Sequence, residues 1–200
     1  ISDKSTYDLL IVSCWRGNIG FAQDVKDSMK AMRLMDEALA KYLKRRNLKA
    51  GIIMRTERES FDWVMPQLGL SEEEYYISIY GELVEIIDTN FLDRNIYQEM
   101  EKANVLLAGF GTTCLIEGYS MGKKILYVNL SRADKYYSDF KPDIVFSGTP
   151  QEYSRLESKL DNLIAYPQDI YVNEHKNLMN YYVQSSAHNS TSNLIKNKIA

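Results

Sequence analysis

Two threonines and a glutamate four positions on, held between two short apolar runs, are the residues of this chain best suited to chemistry. They lie in Asn104–Asn129, NVLLAGFGTTCLIEGYSMGKKILYVN. Gly111, Thr112 and Thr113 could present backbone amides and hydroxyls to a phosphate. Gly109 and Gly111 punctuate the turn, and glycine lets a ligand approach the backbone closely. Glu117 falls one helical turn beyond Thr113 on the same face. Helical side chains lean toward the amino end, so its carboxylate can reach back toward a ligand above the helix start. Next to a diphosphate a carboxylate is repelled; farther out it can accept hydrogen bonds from ribose hydroxyls. Arg16 and Arg55 could supply the compensating positive charge, Arg55 by a bidentate contact. Blander readings stand beside each of these. GFGTT could be a tight strand-to-helix packing turn, Glu117 a solvated helix residue, and Arg55 a partner of Glu57 or Glu59 at the surface.

These residues need a strand, a turn and a helix to position them. Val105–Ala108 has strand length and apolar character. Thr112 or Thr113 can cap the following helix with a hydroxyl oxygen. Leu115, Ile116 and Tyr119 give that helix an apolar side. Gly122 suits a left-handed stop, and Ile125–Val128 is the next strand. Two strands bracketing a helix make a parallel crossover unit. The turn at the first strand's carboxyl end then gathers free amides and the positive helix dipole, which is an anion site by construction.

The rest of the chain repeats the alternation. Tyr7–Ser13 reads as a buried strand and Cys14–Gly20 as a loop. Phe21, Val25, Met29, Met32, Met35, Leu39 and Leu43 recur at helical spacing up to Arg46, a methionine stripe that belongs in a core. Lys44, Arg45 and Arg46 suit the carboxyl end of that helix. Gly51–Arg55 is the second strand, which sets Arg55 at the ligand-binding edge. Phe61–Leu68 is a short helix, Ser71–Glu74 a solvated acidic run, and Leu83–Ile87 the third strand. Asn95–Ala103 is a helix. Arg132–Lys141 is a polar, tyrosine-bearing connection, and Asp143–Phe146 is the sixth strand. Thr149 caps a helix running through Leu160, with Pro150 at its first position and Glu152 completing a capping box. Glu174–Gln184 and Ser192–Ile199 close the chain.

This pattern predicts an α/β fold: a doubly wound, mainly parallel sheet of about six strands with helices on both faces. Residues 1–200 are read as one domain, with closing helices over 173–200. Right-handed crossovers put strands one and four side by side at the reversal of strand order. The loops Cys14–Gly20 and Gly109–Thr113 then line one crevice, with Arg55 near its edge.

Composition narrows the function. The chain has 200 residues, a hydrophobic fraction of 45%, a charged fraction of 26% and a net charge of −3. Those are ordinary globular values, and the charge does not favour a nucleic-acid partner. No apolar run is long enough to span a membrane as a helix. Cys14 and Cys114 are the only cysteines. They read as core fillers, and such sparse thiols suit a reducing, cytoplasmic setting. His175 and His188, the two histidines, lack metal-ligand spacing and read as surface residues of the closing helices; no Asp-x-Asp is present. No metal is therefore expected. The chain starts at Ile1, which suggests part of a longer protein. The loop IVSCWRGNIG carries a cysteine, but the phosphatase arrangement needs arginine six residues later, where Gly20 stands.

The stretch LLAGFGTTCLIEGYSMGKKILYVN resembles the carboxyl-terminal nucleotide-sugar domain of GT-B glycosyltransferases, and is most similar to bacterial surface and capsular polysaccharide transferases. The shared features are a small-residue turn (Gly111, Thr112, Thr113), a glutamate on the next helix (Glu117) and a Gly-Lys-Lys lead-in to the next strand (Gly122, Lys123, Lys124). A strand ending in arginine (GIIMR) and a tyrosine-bearing helix (IYQEMEKA) precede them in the same order. The layout is similar over Tyr7–Asn162, and specifically so over Tyr97–Asn129. Many relatives follow the arginine with histidine-proline, where this chain has Thr56 and Glu57. The resemblance implies a domain that binds a nucleotide-sugar donor as substrate, without metal or cofactor, at Gly109, Gly111, Thr112, Thr113, Glu117, Arg55 and Arg16. It implies a missing amino-terminal domain that supplies the catalytic base and holds a glycan or lipid-linked acceptor. Peripheral membrane association of the full-length protein is compatible with that role. Two other readings use the same sheet: a non-catalytic nucleotide-binding or interaction module, and a sugar-nucleotide epimerase, which normally needs acidic and histidine groups at the cleft.

Overall fold

The computed structural model describes residues 5–13, 23–54, 69–88, 95–109, 112–130 and 142–182. The expected loop Cys14–Gly20 with Arg16, Arg55, the helix over 61–68, Gly111, the connection over 132–141, His188 and the helix over 192–199 lie outside them.

Among the described residues six strands form one sheet in the order β3-β2-β1-β4-β5-β6. They are β1 (Tyr7–Val12), β2 (Ala50–Ile53), β3 (Val84–Ile87), β4 (Ala103–Ala108), β5 (Lys124–Asn129) and β6 (Val145–Ser147). All five pairings are parallel, and β1 lies beside β4 with Leu9 opposite Val105 and Ile11 opposite Leu107. The expected doubly wound parallel sheet is therefore the observed one. Strands covered on both faces carry near-continuous apolar runs. Accordingly Leu9, Leu10, Ile11, Val105, Leu106 and Leu107 are wholly buried, each stabilising by about 1.5–3 kcal/mol. The short outer strands β3 and β6 are only partly covered.

Among the described residues six helices flank the sheet: α1 (Gln23–Arg46), α2 (Glu72–Tyr80), α3 (Ile96–Glu101), α4 (Thr113–Ser120), α5 (Tyr153–Ala165) and α6 (Gln168–Tyr182). One core layer packs α1, α2 and α5 on the sheet through Met35, Leu39, Tyr75, Tyr80, Leu156 and Leu160. The other packs α3, α4 and α6 through Met100, Leu115, Tyr119, Tyr171 and Met179. Met35 sits in the first layer and Met32 in the second, both buried as the periodicity predicts. Cys114 is half-buried against the second. Pro150 and the Thr149–Glu152 capping box start the helix that becomes α5.

Three expectations need correction. Ser71–Glu74 is not a solvated run; it opens α2. Ser71 and Glu74 exchange capping bonds of 2.8 and 3.1 Å, and Glu72 is buried. Glu73 is half-buried and Glu74 exposed, so of the three acids only Glu72 turns inward, beside buried Tyr75 and Tyr76. The first closing helix begins at Gln168 rather than Glu174. His175 is not a simple surface residue: it stacks on Tyr171 at 4.0 Å and its Nδ1 lies 2.8 Å from the Tyr119 hydroxyl.

Candidate functional site at the reversal of strand order

β1 and β4 are neighbours whose chains continue in opposite directions across the sheet, and it is at the carboxyl ends of such a pair that doubly wound sheets take ligands. Thr112 occupies the amino-cap position of α4, with extended backbone at φ −132° and ψ 138°. Its hydroxyl makes no capping bond, contrary to the expected role. Its carbonyl instead accepts from the Tyr127 hydroxyl at 2.7 Å, which ties the turn to β5. Thr113 is exposed at the first turn. α4 thus begins beyond the carboxyl end of β4 with first-turn amides that the Thr112 hydroxyl does not engage.

Gly109 ends β4 for a steric reason. A Cβ there would lie 2.9 Å from Met32 Cγ and from Met35 Cε. Its bare side is turned to α1, which is the packing role weighed for GFGTT. Gly118 does the same for the other face: a Cβ would meet Leu106 Cδ1 at 2.2 Å. It lets α4 press onto β4. Sequence reasoning passed over Gly118, although a glycine amid helical residues is a signal of close approach.

Glu117 is half-buried on the second turn of α4. The Tyr97 hydroxyl, on the first turn of α3, donates to its Oε2 at 3.3 Å. The Glu117 charge and this hydrogen bond raise the Tyr97 hydroxyl above its usual range. Asn95 caps α3 by accepting from the Tyr97 amide at 2.8 Å. So the tyrosine-bearing helix and the glutamate-bearing helix meet at the carboxyl edge of the sheet.

A second polar group stands at the mouth of β1. Ser13 donates its hydroxyl to Glu72, and its oxygen lies 2.6 Å from the Tyr76 hydroxyl. A hydroxyl has one proton; with that proton on Glu72, Tyr76 is the donor to Ser13. Behind it, wholly buried Asp36 accepts from Tyr75 at 2.8 Å and from Tyr80 at 2.9 Å. Ser13 thus ties the end of β1 to α2, and Asp36 ties α2 to α1. Sequence reasoning missed them; the Ser-x-x-Glu capping signal at 71–74, followed by tyrosines, could have found α2.

No protein-family model matches the sequence, and no curated protein matches it at a significant level. Among solved structures, the catalytic domain of cholesterol-alpha-glucosyltransferase from Helicobacter pylori is similar at 11% identity and a TM-score of 0.46. The match covers 88% of this chain and 95% of that one. A likeness of that order says nothing of substrate or chemistry.

Lys123 and Lys124, part of the Gly-Lys-Lys lead-in, work at the opposite edge of the sheet. Gly122 takes the left-handed backbone expected of it, at φ +85°. The Lys123 ammonium donates to the carbonyls of Glu101, at 2.5 Å, and Ala103, at 3.1 Å. Lys124 is fully buried and donates to the carbonyls of Tyr166, at 2.9 Å, and Ile164, at 3.3 Å. Burial lowers both ammonium groups, Lys124 to about 8. They hold the carboxyl ends of α3 and α5, where cations suit the helix dipole. Among the described residues, no three of His, Cys, Asp or Glu converge as a metal-ligand set, and no helix is long and apolar enough to cross a membrane.

Proposed function

We propose that this chain is the donor-binding domain of a GT-B glycosyltransferase that uses a nucleotide-activated sugar in bacterial surface polysaccharide assembly. One observation carries the reading: α4 starts at the reversal of strand order with Glu117 one turn in, its carboxylate engaged by Tyr97. In this reading the first-turn amides and the Thr113 hydroxyl take a phosphate oxygen, where the helix dipole favours negative charge. Glu117, with acceptor capacity beyond the Tyr97 bond, receives ribose hydroxyls. Arg16 and Arg55 neutralise the leaving phosphate. As the sugar's anomeric carbon bonds to the acceptor oxygen, its bond to phosphate oxygen breaks and the charge passes to the nucleotide. Stabilising that charge is the domain's share of catalysis. The base that takes the acceptor's proton, and the glycan or lipid-linked acceptor, belong to an amino-terminal partner domain. The setting is the cytoplasm, with peripheral attachment to the membrane.

Calorimetric titration of CMP, CDP, UDP and GDP tests this directly. At least one should bind, and Glu117→Ala and Thr113→Ala should each weaken it by about tenfold, the order of one charge-assisted hydrogen bond. Binding that both variants leave intact removes the assigned site. Binding without turnover in the full-length protein, given donor and acceptor, favours a non-catalytic module.

A further inference from the structure

A cavity of about 660 Å³ lies between α5, α6 and the turn before β6, and none of its lining residues belongs to β1, β4 or α4. That volume is within the range of small-molecule sites. One wall is a stripe of α5: Arg155, Lys159 and Asn162, spaced so that they share a helical face. The facing wall is Tyr171, Glu174 and His175 of α6. Asp143, on the 3-10 turn before β6, closes one side. The two helices pack on opposite faces of the sheet, so the cleft is built by the fold rather than by a loose segment.

Its chemistry is mixed and balanced. Arg155 and Lys159 are offset by Asp143 and Glu174, so the four lining charges cancel. Arg155 also pairs with Glu152. A phosphate dianion would therefore meet no net positive field. A purely apolar ligand would have to desolvate all four charged groups. Hydroxyl groups meet neither objection, because each both donates and accepts. They can donate to Asp143 and Glu174 and accept from Lys159, Arg155 and the Asn162 amide. Ser154 and Ser158 add bifunctional hydroxyls. Tyr166 donates to Glu174 at 2.6 Å, which fixes that carboxylate, and its ring adds an apolar surface. Burial keeps His175 below its usual range, and its Nδ1 shares a hydrogen bond with the Tyr119 hydroxyl.

We propose that the cleft between α5 and α6 is a carbohydrate site, which takes a neutral, polyhydroxylated sugar unit. The proposal does not depend on the reading of the crevice. Saturation-transfer NMR on the whole chain tests it with glucose, galactose, N-acetylglucosamine, lactose and chitobiose, and with inorganic phosphate as competitor. At least one sugar should receive saturation with millimolar affinity. Lys159→Met should weaken it by about tenfold. Ser158→Trp, at an exposed position whose side chain would fill the cleft, should abolish it without lowering the unfolding midpoint. Both variants should keep whatever nucleotide affinity the unaltered chain shows, so the two sites fail or stand separately. The proposal is overturned if no sugar receives saturation, if phosphate displaces the sugar, or if both variants bind as the original chain does.

Discussion

Gly118→Ala is the change that most sharply separates packing from helix propensity in the element carrying the candidate site. Alanine is favoured over glycine inside a helix by about 1 kcal/mol, so propensity alone predicts a gain. The structure predicts a loss. The new methyl would sit 2.2 Å from Leu106 Cδ1, against about 3.5–4.0 Å for two carbons in contact. Either the leucine or the helix must move by more than about an ångström. Leu106 is wholly buried in the core layer beneath α4, so it has little room to turn. Overpacking of this kind costs about 1–3 kcal/mol. A 2.2 Å approach to a buried neighbour belongs in the upper part of that range, about 2–3 kcal/mol, so against the propensity gain the net loss is about 1–2 kcal/mol and the unfolding midpoint falls by about 2–8 °C. Thermal and denaturant unfolding measure it. Leu106→Val removes the clashing carbon, so the double variant should be less destabilised than the sum of the singles. If Gly118→Ala alone is as stable as the original chain, or more so, the packing argument is wrong.

Two further outcomes follow from the same contacts. With tyrosine rings labelled for NMR, the Tyr97 hydroxyl should titrate above its ordinary 10.0, and Glu117→Gln should bring it down; an unmoved titration would refute the pairing. Lys124 is lowered by burial to about 8 from 10.5. Between those values the unfolded chain holds a proton that the folded chain has released, so this group makes stability rise with pH over that window. Lys124→Met should lose that rise. Parallel stability curves for the two proteins would contradict it.

Most of the architecture was legible because its signals are local. Apolar runs in Tyr7–Val12 and Ala103–Ala108, the period of Met32, Met35, Leu39 and Leu43, and the Thr149–Glu152 box each declare an element without reference to the rest. The β1–β4 adjacency then follows from crossover handedness. What was not legible depends on partners distant in sequence. Glu72 looks like a surface acid until Ser13 meets it across 59 residues. His175 looks solvated until Tyr119 and Tyr171 enclose it. Gly109 looks like a ligand-facing turn residue until α1 is laid against it. In each case the position was readable and the contact was not. Thr112 shows the converse: its place at the helix start was predicted, but the expected hydroxyl cap gave way to a carbonyl anchored by Tyr127.

In the proposed function the start of α4 grips the phosphate of a nucleotide sugar and Glu117 holds its ribose. Backbone amide NMR during titration with the best-binding nucleoside diphosphate tests it most directly. The largest shifts should fall on the amides of Thr113 and Cys114 and along the turn to Glu117, with Tyr97 moving in step. Shifts confined to the α5–α6 cleft, or none near α4 at saturating nucleotide, would contradict it.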